Sequence, residues 1–299
     1  AQKFMEHHNI HLITIQKDLY PEQLRNIYDP PIGLFTKGNQ DLLKRDIHIG
    51  IVGSRKASPT GKRQARKFSS ELSEMGMTIV SGLAEGIDSE SHRGSLGKIG
   101  STIAVMGTGI NVCYPTMNRA LYKEIVKEGL IVTEFFMDEQ PLKFHFPLRN
   151  RIISGLSDGI LIVEARDKSG ALITANYALE QGKNVYAIPG DITLFQSMGS
   201  NQLIKDGAKV VTEPKDILED YIERLPNNHA EFHNTFSLNR VIEAQDTEEE
   251  RVLLKYIAEG YNTIDLLLPI SGKSIQELNA ALSMMEINDS LKIEFGKIY

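Results

Sequence analysis

Short apolar runs recur along the chain between residues 47 and 211, and amphipathic stretches separate them. The runs lie at 47–52, 78–80, 101–106, 130–132, 159–163, 184–188 and 209–211. Each run is too short for an ordinary helix and is bounded by Gly, Ser or Pro, which is typical of a buried strand. Strands that are apolar on both faces and alternate with helices indicate a parallel sheet covered on both sides. We therefore predict a Rossmann-like, doubly wound α/β domain over residues 41–225.

The segments on either side of this domain have different patterns. Residues 1–40 contain one short apolar segment and several turn residues, so we predict a short lead-in. Residues 226–246 are polar and lack periodicity, which predicts a linker. Residues 247–299 contain three helical patterns followed by an alternating segment, an order that is typical of a winged-helix domain.

The net charge of −6, from 39 acidic and 33 basic residues, argues against a chain whose whole surface binds nucleic acid. The charge is uneven, however, because residues 47–70, 91–123 and 141–157 contain basic residues and no acidic ones. Each of these stretches spans the start of a predicted helix, where free N–H groups and the helix dipole favour anions. Over residues 240–299 acidic residues outnumber basic ones, so a protein contact is favoured over DNA reading for the predicted winged helix.

Several classes of protein are disfavoured by what the sequence lacks. The single cysteine, Cys113, excludes a disulfide framework and a multi-cysteine zinc site. No apolar stretch reaches the roughly 18 residues of a spanning helix, and the N-terminus lacks a signal-like apolar region. We therefore expect a cytoplasmic protein that does not bind a membrane. Gly107 and Gly109 lack the third glycine of a dinucleotide fingerprint, and the histidines show no metal-ligand spacing. We expect neither a metal nor another cofactor.

Gly53, Ser54 and Arg55 follow the first apolar run of the domain. Glycine permits a close backbone approach, Ser54 offers an amide and a hydroxyl, and the planar guanidinium of Arg55 suits a phosphate. The alternative is a plain turn before a helix that Ser58 caps. A second small-residue loop, which includes Asp88, ends the next strand, and we expect Asp88 to cap a helix rather than to act as a catalyst.

Residues 143–151 place aromatic rings next to cations. Phe144 and Phe146 lie between Lys143 and Arg149, and this arrangement suits single-stranded nucleic acid because bases stack on rings while cations contact phosphates. The alternative is that one ring belongs to the core and that Arg149 or Arg151 pairs with a carboxylate. We expect one of the two rings to be buried. A third small-residue loop, at 169–175, opens a helix and suits a phosphate.

These motifs occur in an order that resembles the bacterial DNA-processing family DprA, also called Smf. The resemblance covers residues 20–225 and includes the loops at 53–55, 81–88, 146–151, 169–175 and 187–190. It implies an extended Rossmann fold that binds single-stranded DNA, forms a homodimer through that domain and loads the RecA recombinase during natural transformation. The family's basic pocket corresponds to Arg55, Lys143 and Phe146, with two further cations near Arg119 and Lys183. Residues 1–40 would then be a stub of the family's N-terminal helical domain.

We therefore predict a non-enzymatic recombination mediator that binds single-stranded DNA, protects incoming strands and loads RecA. Backbone amides at Gly53, Ser54 and Gly170 would donate to the strand. The predicted nucleic-acid-binding residues are Gly53, Ser54, Arg55, Arg119, Lys143, Phe146, Arg149, Asn150, Gly170 and Lys183. Two alternatives remain: a nucleotide phosphoribohydrolase-like enzyme, whose glycine-rich catalytic loop residues 169–174 do not match, and a winged-helix transcription regulator.

Overall fold

In the computed structural model of this chain, the described residues are 2–225, 248–258, 260–287, 291, 293–294 and 297–298. They divide into two units, Ala1–Leu225 and Pro226–Tyr299. The predicted linker at 226–246 lies outside the described residues. No helix in the described part of the chain is both long and apolar enough to cross a bilayer.

The described residues of the first unit contain one nine-stranded sheet. Its strands are β1 (His11–Thr14), β2 (Gly33–Gly38), β3 (His48–Val52), β4 (Thr78–Ser81), β5 (Thr102–Val105), β6 (Leu130–Thr133), β7 (Gly159–Ile162), β8 (Asn184–Ala187) and β9 (Lys209–Val210). The order across the sheet is β1-β2-β6-β5-β4-β3-β7-β8-β9, and all neighbours from β6 to β9 are parallel. The order reverses between β3 and β7, and such a switch point is where ligands bind in open α/β sheets.

Helices connect the strands, as the alternating pattern predicts. They are α1 (Gln2–His7), α2 (Glu22–Arg25), α3 (Pro59–Glu74), α4 (Ile87–Ser95), α5 (Arg119–Glu128), α6 (His145–Leu156), α7 (Gly170–Glu180), α8 (Met198–Lys205) and α9 (Lys215–Leu218). α3 begins where the sequence predicts: the Ser58 hydroxyl accepts from the Gly61 amide at 2.9 Å, and proline occupies the first helical position. Every residue of β3 to β7 is buried, which explains why these strands are apolar on both faces.

Residues 1–40 correct two expectations. They supply β1 and β2, which extend the sheet beyond β6 as antiparallel neighbours, so the sheet is not parallel throughout. Ile13, Leu24 and Leu34 are buried in the same core cluster as the central strands. This segment is therefore an integral part of the α/β unit rather than a separate lead-in. Its second strand was missed because a glycine stands at each end and the flanking residues indicate turns.

The second unit contains α10 (Glu248–Ala258), α11 (Ile264–Ser271) and α12 (Ile275–Ile287), followed by β10 (Ile293–Glu294) and β11 (Lys297–Ile298). The two strands pair antiparallel. The core residues include Leu253, Leu267 and Leu282, which lie on the apolar faces of the three helices. The elements occur in the predicted order, and the winged-helix assignment stays a prediction.

Candidate nucleic-acid interface

A cavity of about 640 Å³ opens at the carboxyl ends of β3 and β7. Its walls are the turn 52–55 after β3, the segment 143–150 at the start of α6, and residues 166–174, which lead from β7 into α7. We call this cavity the strand-end pocket. It lies at the switch point of the sheet and its volume is within the ordinary range for ligand sites.

The turn after β3 is fixed by the neighbouring strand and helix. The Ser54 amide donates to the Glu164 carbonyl at 2.7 Å, and the Ser54 carbonyl accepts from the Ile87 amide at 3.2 Å. A Cβ at Gly53 would lie 2.6 Å from Ile87 Cγ1 and 2.9 Å from the Glu164 carbonyl, so only glycine fits. Because the Ser54 amide is already used within the fold, the expectation that it donates to a ligand is wrong. Both residues position Arg55.

Arg55, Phe146 and Tyr114 form one wall of the strand-end pocket. The Arg55 guanidinium carbon lies 5.3 Å from the Phe146 ring centroid, which is a cation–π distance, and the Tyr114 ring lies 5.6 Å from the Phe146 ring. Gly107 lies behind Phe146, where a Cβ would approach the ring to 2.9 Å. The wall therefore presents a flat aromatic surface next to a positive charge.

Three exposed cations line the pocket. Arg55 and Lys143 are both exposed and line the cavity. Within the described ranges neither forms an ion pair with a carboxylate. Arg166 also lines the cavity and is exposed. Together the three side chains make the mouth of the pocket positive, which suits phosphate groups.

Arg149 holds the floor of the pocket in place. It is only 3% exposed, and its Nη1 donates to the Gly82 carbonyl at 2.6 Å and to the Val105 carbonyl. Burial lowers the pKa of Arg149 to about 10 although the nearby Asp88 opposes this shift, so the guanidinium is charged at neutral pH. Arg149 lines the cavity, as the sequence predicts, but its hydrogen bonds tie β5 to the loop after β4.

Asp88 does not cap its own helix, which corrects another expectation. It is the second residue of α4, and its carboxylate accepts from the Gly82 amide at 3.1 Å and from the Ala84 amide at 3.4 Å. Burial raises the pKa of Asp88 above its ordinary value, although the charge of Arg149 opposes this shift. The two side chains thus hold opposite sides of the loop that follows β4.

His92 is buried behind the same loop. Its Nε2 accepts from the Leu83 amide at 3.2 Å, and its Nδ1 lies 2.7 Å from the Thr102 hydroxyl. Thr102 Oγ1 donates to the Ile79 carbonyl at 2.9 Å, so Nδ1 carries the proton and the ring is neutral. Burial and the charges of Arg149 and Arg93 lower the pKa of His92 from 6.5 to about 3.

This shift predicts acid sensitivity. Between pH 6.5 and about pH 3 the unfolded chain binds a proton at His92 that the folded chain does not. The free energy of unfolding therefore falls as pH decreases through this window, by at most about 1.4 kcal/mol per pH unit. We expect His92→Gln to reduce this slope in urea denaturation at several pH values. Replacing the exposed His11 with Gln is the control, and an equal slope in both variants would contradict the assignment.

The opposite wall carries small polar groups at the start of α7. The Asn150 side-chain amide donates to the Gly170 carbonyl at 3.2 Å. A Cβ at Gly170 would meet no atom within 4 Å, so the backbone there faces open space. Ser169 precedes the helix, and its hydroxyl makes no cap hydrogen bond. These groups leave room for a ligand at the N-terminus of α7.

The pocket brings together most of the predicted site residues and excludes two. Those that line it are Gly53, Ser54, Arg55, Lys143, Phe146, Arg149, Asn150 and Gly170. Lys183 instead lines a second cavity, of about 490 Å³, together with Asp29 and Tyr177, and burial lowers its pKa. Arg119 begins α5 near Cys113 and lines neither cavity.

The expectation that one of the two aromatic rings in residues 143–151 is buried is wrong. Neither aromatic ring is buried, because Phe146 is half-buried in the pocket wall and Phe144 is 59% exposed. Arg151 pairs with carboxylates, as the alternative proposed: its nitrogens lie 2.6 Å from Glu134 Oε1 and 2.9 Å from Asp29 Oδ2. It is therefore a structural residue.

Sequence reasoning missed Arg166 and Tyr114 as members of the pocket. Arg166 follows β7 by four residues, so the rule that ligands bind at the carboxyl ends of parallel strands could have found it. Tyr114 belongs to a long irregular segment between β5 and α5, where no periodic pattern gives its position.

Comparisons with known proteins identify the family to which this chain is similar. A family model described as DNA recombination-mediator protein A matches residues 11–222. The DNA processing protein DprA of Streptococcus pneumoniae is 47% identical over 208 residues, which are 70% of this chain and 73% of that protein. Protein Smf of Escherichia coli is 38% identical over 288 residues, which are 95% of this chain and 75% of that protein.

Solved structures resemble the α/β unit. The X-ray structure of the Streptococcus pneumoniae protein aligns with a TM-score of 0.69 and 44% identity, covering 73% of this chain and 77% of that one. A structure of DNA processing protein A from Helicobacter pylori, described for its single-stranded DNA binding mode, aligns with a TM-score of 0.67 and 28% identity over 74% of this chain and 99% of that one. With its ordered loops, its extended sheet and these relatives, the chain belongs to the DNA recombination-mediator protein A family, as the resemblance to DprA and Smf indicates.

Proposed function

We propose that this chain binds single-stranded DNA in the strand-end pocket and acts as a non-enzymatic recombination mediator. The observation that carries the proposal is the convergence of Arg55, Lys143 and the Phe146 ring on one cavity at the sheet's switch point. The single-stranded DNA binding mode described for the Helicobacter pylori relative supports the same ligand class.

Each group has a physical role in this proposal. Arg55 and Lys143 neutralise phosphates, and Arg55 can do so with a planar pair of donors. Phe146 stacks on a base, which typically contributes about 1–3 kcal/mol. Arg149 and Asp88 act indirectly, because both side chains are buried and position the loop after β4. Gly53 and Ser54 likewise position Arg55.

Two buried carboxylates next to the pocket, those of Asp88 and Glu164, are used within the fold. Asp88 accepts from two backbone amides, and the carboxylate of Glu164 accepts from the Ser58 amide at 2.9 Å and from the Ser58 hydroxyl. Both are therefore used to fix loops around the cavity. The glycine-rich catalytic loop of the phosphoribohydrolases has no match at residues 169–174, so this alternative is not favoured.

The proposal includes RecA loading and a homodimer. A strand held in the pocket by its phosphates and one base would remain accessible along the rest of its length, so RecA could assemble on it. A homodimer through the α/β unit would present two pockets to one strand and raise the avidity through a high effective concentration. RecA loading, protection of incoming strands during natural transformation and a cytoplasmic location complete the proposed role.

The test is a titration of the full chain with oligothymidylate and with a duplex of matched length, at several salt concentrations. We expect tighter binding of the single strand, because bases stacked in a duplex cannot reach the Phe146 ring. The logarithm of affinity should fall with the logarithm of salt concentration by about 0.7 per phosphate neutralised. Equal or tighter binding of the duplex would contradict the proposal.

A further inference from the structure

Phe144 presents an exposed aromatic ring just outside the strand-end pocket. The residue is 59% exposed although phenylalanine is ordinarily among the most buried types. It is the residue that immediately precedes α6. We propose that Phe144 is a second base-stacking surface, which takes the nucleotide next to the one stacked on Phe146. This inference rests on the proposed function and adds a residue to that site.

The Phe144 ring is held by a stack of other rings. It contacts His145 edge-on, with centroids 4.6 Å apart, and the His145 ring stacks on Phe135 with centroids 4.0 Å apart. His145 is only 4% exposed, and its Nε2 lies 3.8 Å from the Glu139 carboxylate. Because a buried ring supports Phe144, little conformational freedom is lost when a base stacks on its open face.

The position of Phe144 relative to the pocket suits a continuing strand. Lys143 lines the pocket and immediately precedes Phe144. Phe146 follows Phe144 by two residues and lies in the first turn of α6. Two residues of a helix turn through about 200°, so the two rings face different sides of the helix start. A strand with one base on Phe146 would pass Lys143 to bring its next base to Phe144.

The surrounding charge favours a nucleic acid as the occupant of this ring. No acidic residue occurs in residues 141–157, and Lys143, which forms no ion pair within the described residues, immediately precedes Phe144. The Glu139 carboxylate lies against the buried His145 ring, 3.8 Å from its Nε2. Aromatic rings interleaved with cations are the usual platform for unpaired bases, since every base has a stacking face. If this apolar ring instead serves a protein partner, oligothymidylate will leave the fluorescence of Phe144→Trp unaltered.

The absence of tryptophan from this sequence permits a direct test. In the Phe144→Trp variant the single indole reports on its own surroundings. We expect oligothymidylate to quench its fluorescence saturably, at the same concentrations that shift the anisotropy of a labelled oligonucleotide with the wild-type chain. The matched control is Tyr28→Trp, because Tyr28 is fully exposed and does not line the pocket. We expect no saturable quenching there.

Two further variants measure the energetic role of the ring. Phe144→Ala and Phe144→Leu should each weaken binding of a long oligothymidylate by about tenfold, because both remove the stacking face. Binding of a mononucleotide, which can fill only the pocket, should not change. The stacking surface is overturned if DNA that binds the wild type leaves Phe144→Trp fluorescence unaltered, or if Phe144→Ala binds with wild-type affinity. Failure of the wild type to bind any oligothymidylate would instead overturn the proposed function itself.

Discussion

Replacing Arg55 with alanine is expected to weaken binding of single-stranded DNA by about 10- to 100-fold, since a hydrogen bond to a charged group contributes about 1.5–3 kcal/mol. The same change should lower the salt dependence by about 0.7 in the log–log slope, because one phosphate contact is lost. Arg55→Lys should keep that slope and lose part of the affinity, because lysine keeps the charge without the planar pair of donors. Fluorescence anisotropy at several salt concentrations measures both quantities.

The matched control for this change is Arg45→Ala. Arg45 is also exposed, but it precedes β3 and therefore lies at the opposite edge of the sheet from the pocket. Its loss should leave both the affinity and the salt slope close to the wild-type values. An Arg55→Ala chain that retains wild-type affinity and slope would remove Arg55 from the interface.

Replacing Arg149 with methionine is expected to lower the free energy of unfolding by about 3–5 kcal/mol, the cost of leaving a buried charge without its partner. Asp88 would lose its counter-charge, and the Gly82 and Val105 carbonyls would lose their donor. Urea denaturation followed by circular dichroism measures the change. Arg55→Met, the same substitution at an exposed position, is the control and should cost less than about 1 kcal/mol.

A second substitution separates the charge from the packing. In the double variant with Arg149→Met and Asp88→Asn the uncompensated carboxylate is gone, so part of the lost stability should return. A single Arg149→Met variant as stable as the wild type would show that Arg149 does not brace the pocket floor. In that case its guanidinium would be free to contact DNA, as the sequence pattern suggests.

The arginines of α6 illustrate what local sequence leaves open. Arg149 and Arg151 occur two residues apart in the same basic stretch, and nothing in the pattern distinguishes their partners. In the folded chain Arg149 donates to backbone carbonyls at the carboxyl ends of β4 and β5, whereas Arg151 pairs with Glu134 and Asp29. Their partners come from segments 17 to 122 residues away, so only the packing of these segments assigns the roles.

The pattern of apolar runs determined the central strands, the alternating helices and the carboxyl ends of the strands as the place for a ligand. It did so because a strand buried on both faces needs apolar residues at successive positions. The sequence also placed Arg55 directly after a strand, and Lys143 and Phe146 at the start of a helix. The tertiary structure decided that residues 11–38 join the sheet, that Lys183 faces another cavity, and that Phe144 remains exposed beside the pocket. These features depend on contacts between distant segments, and a local pattern cannot encode which distant surface a side chain will meet.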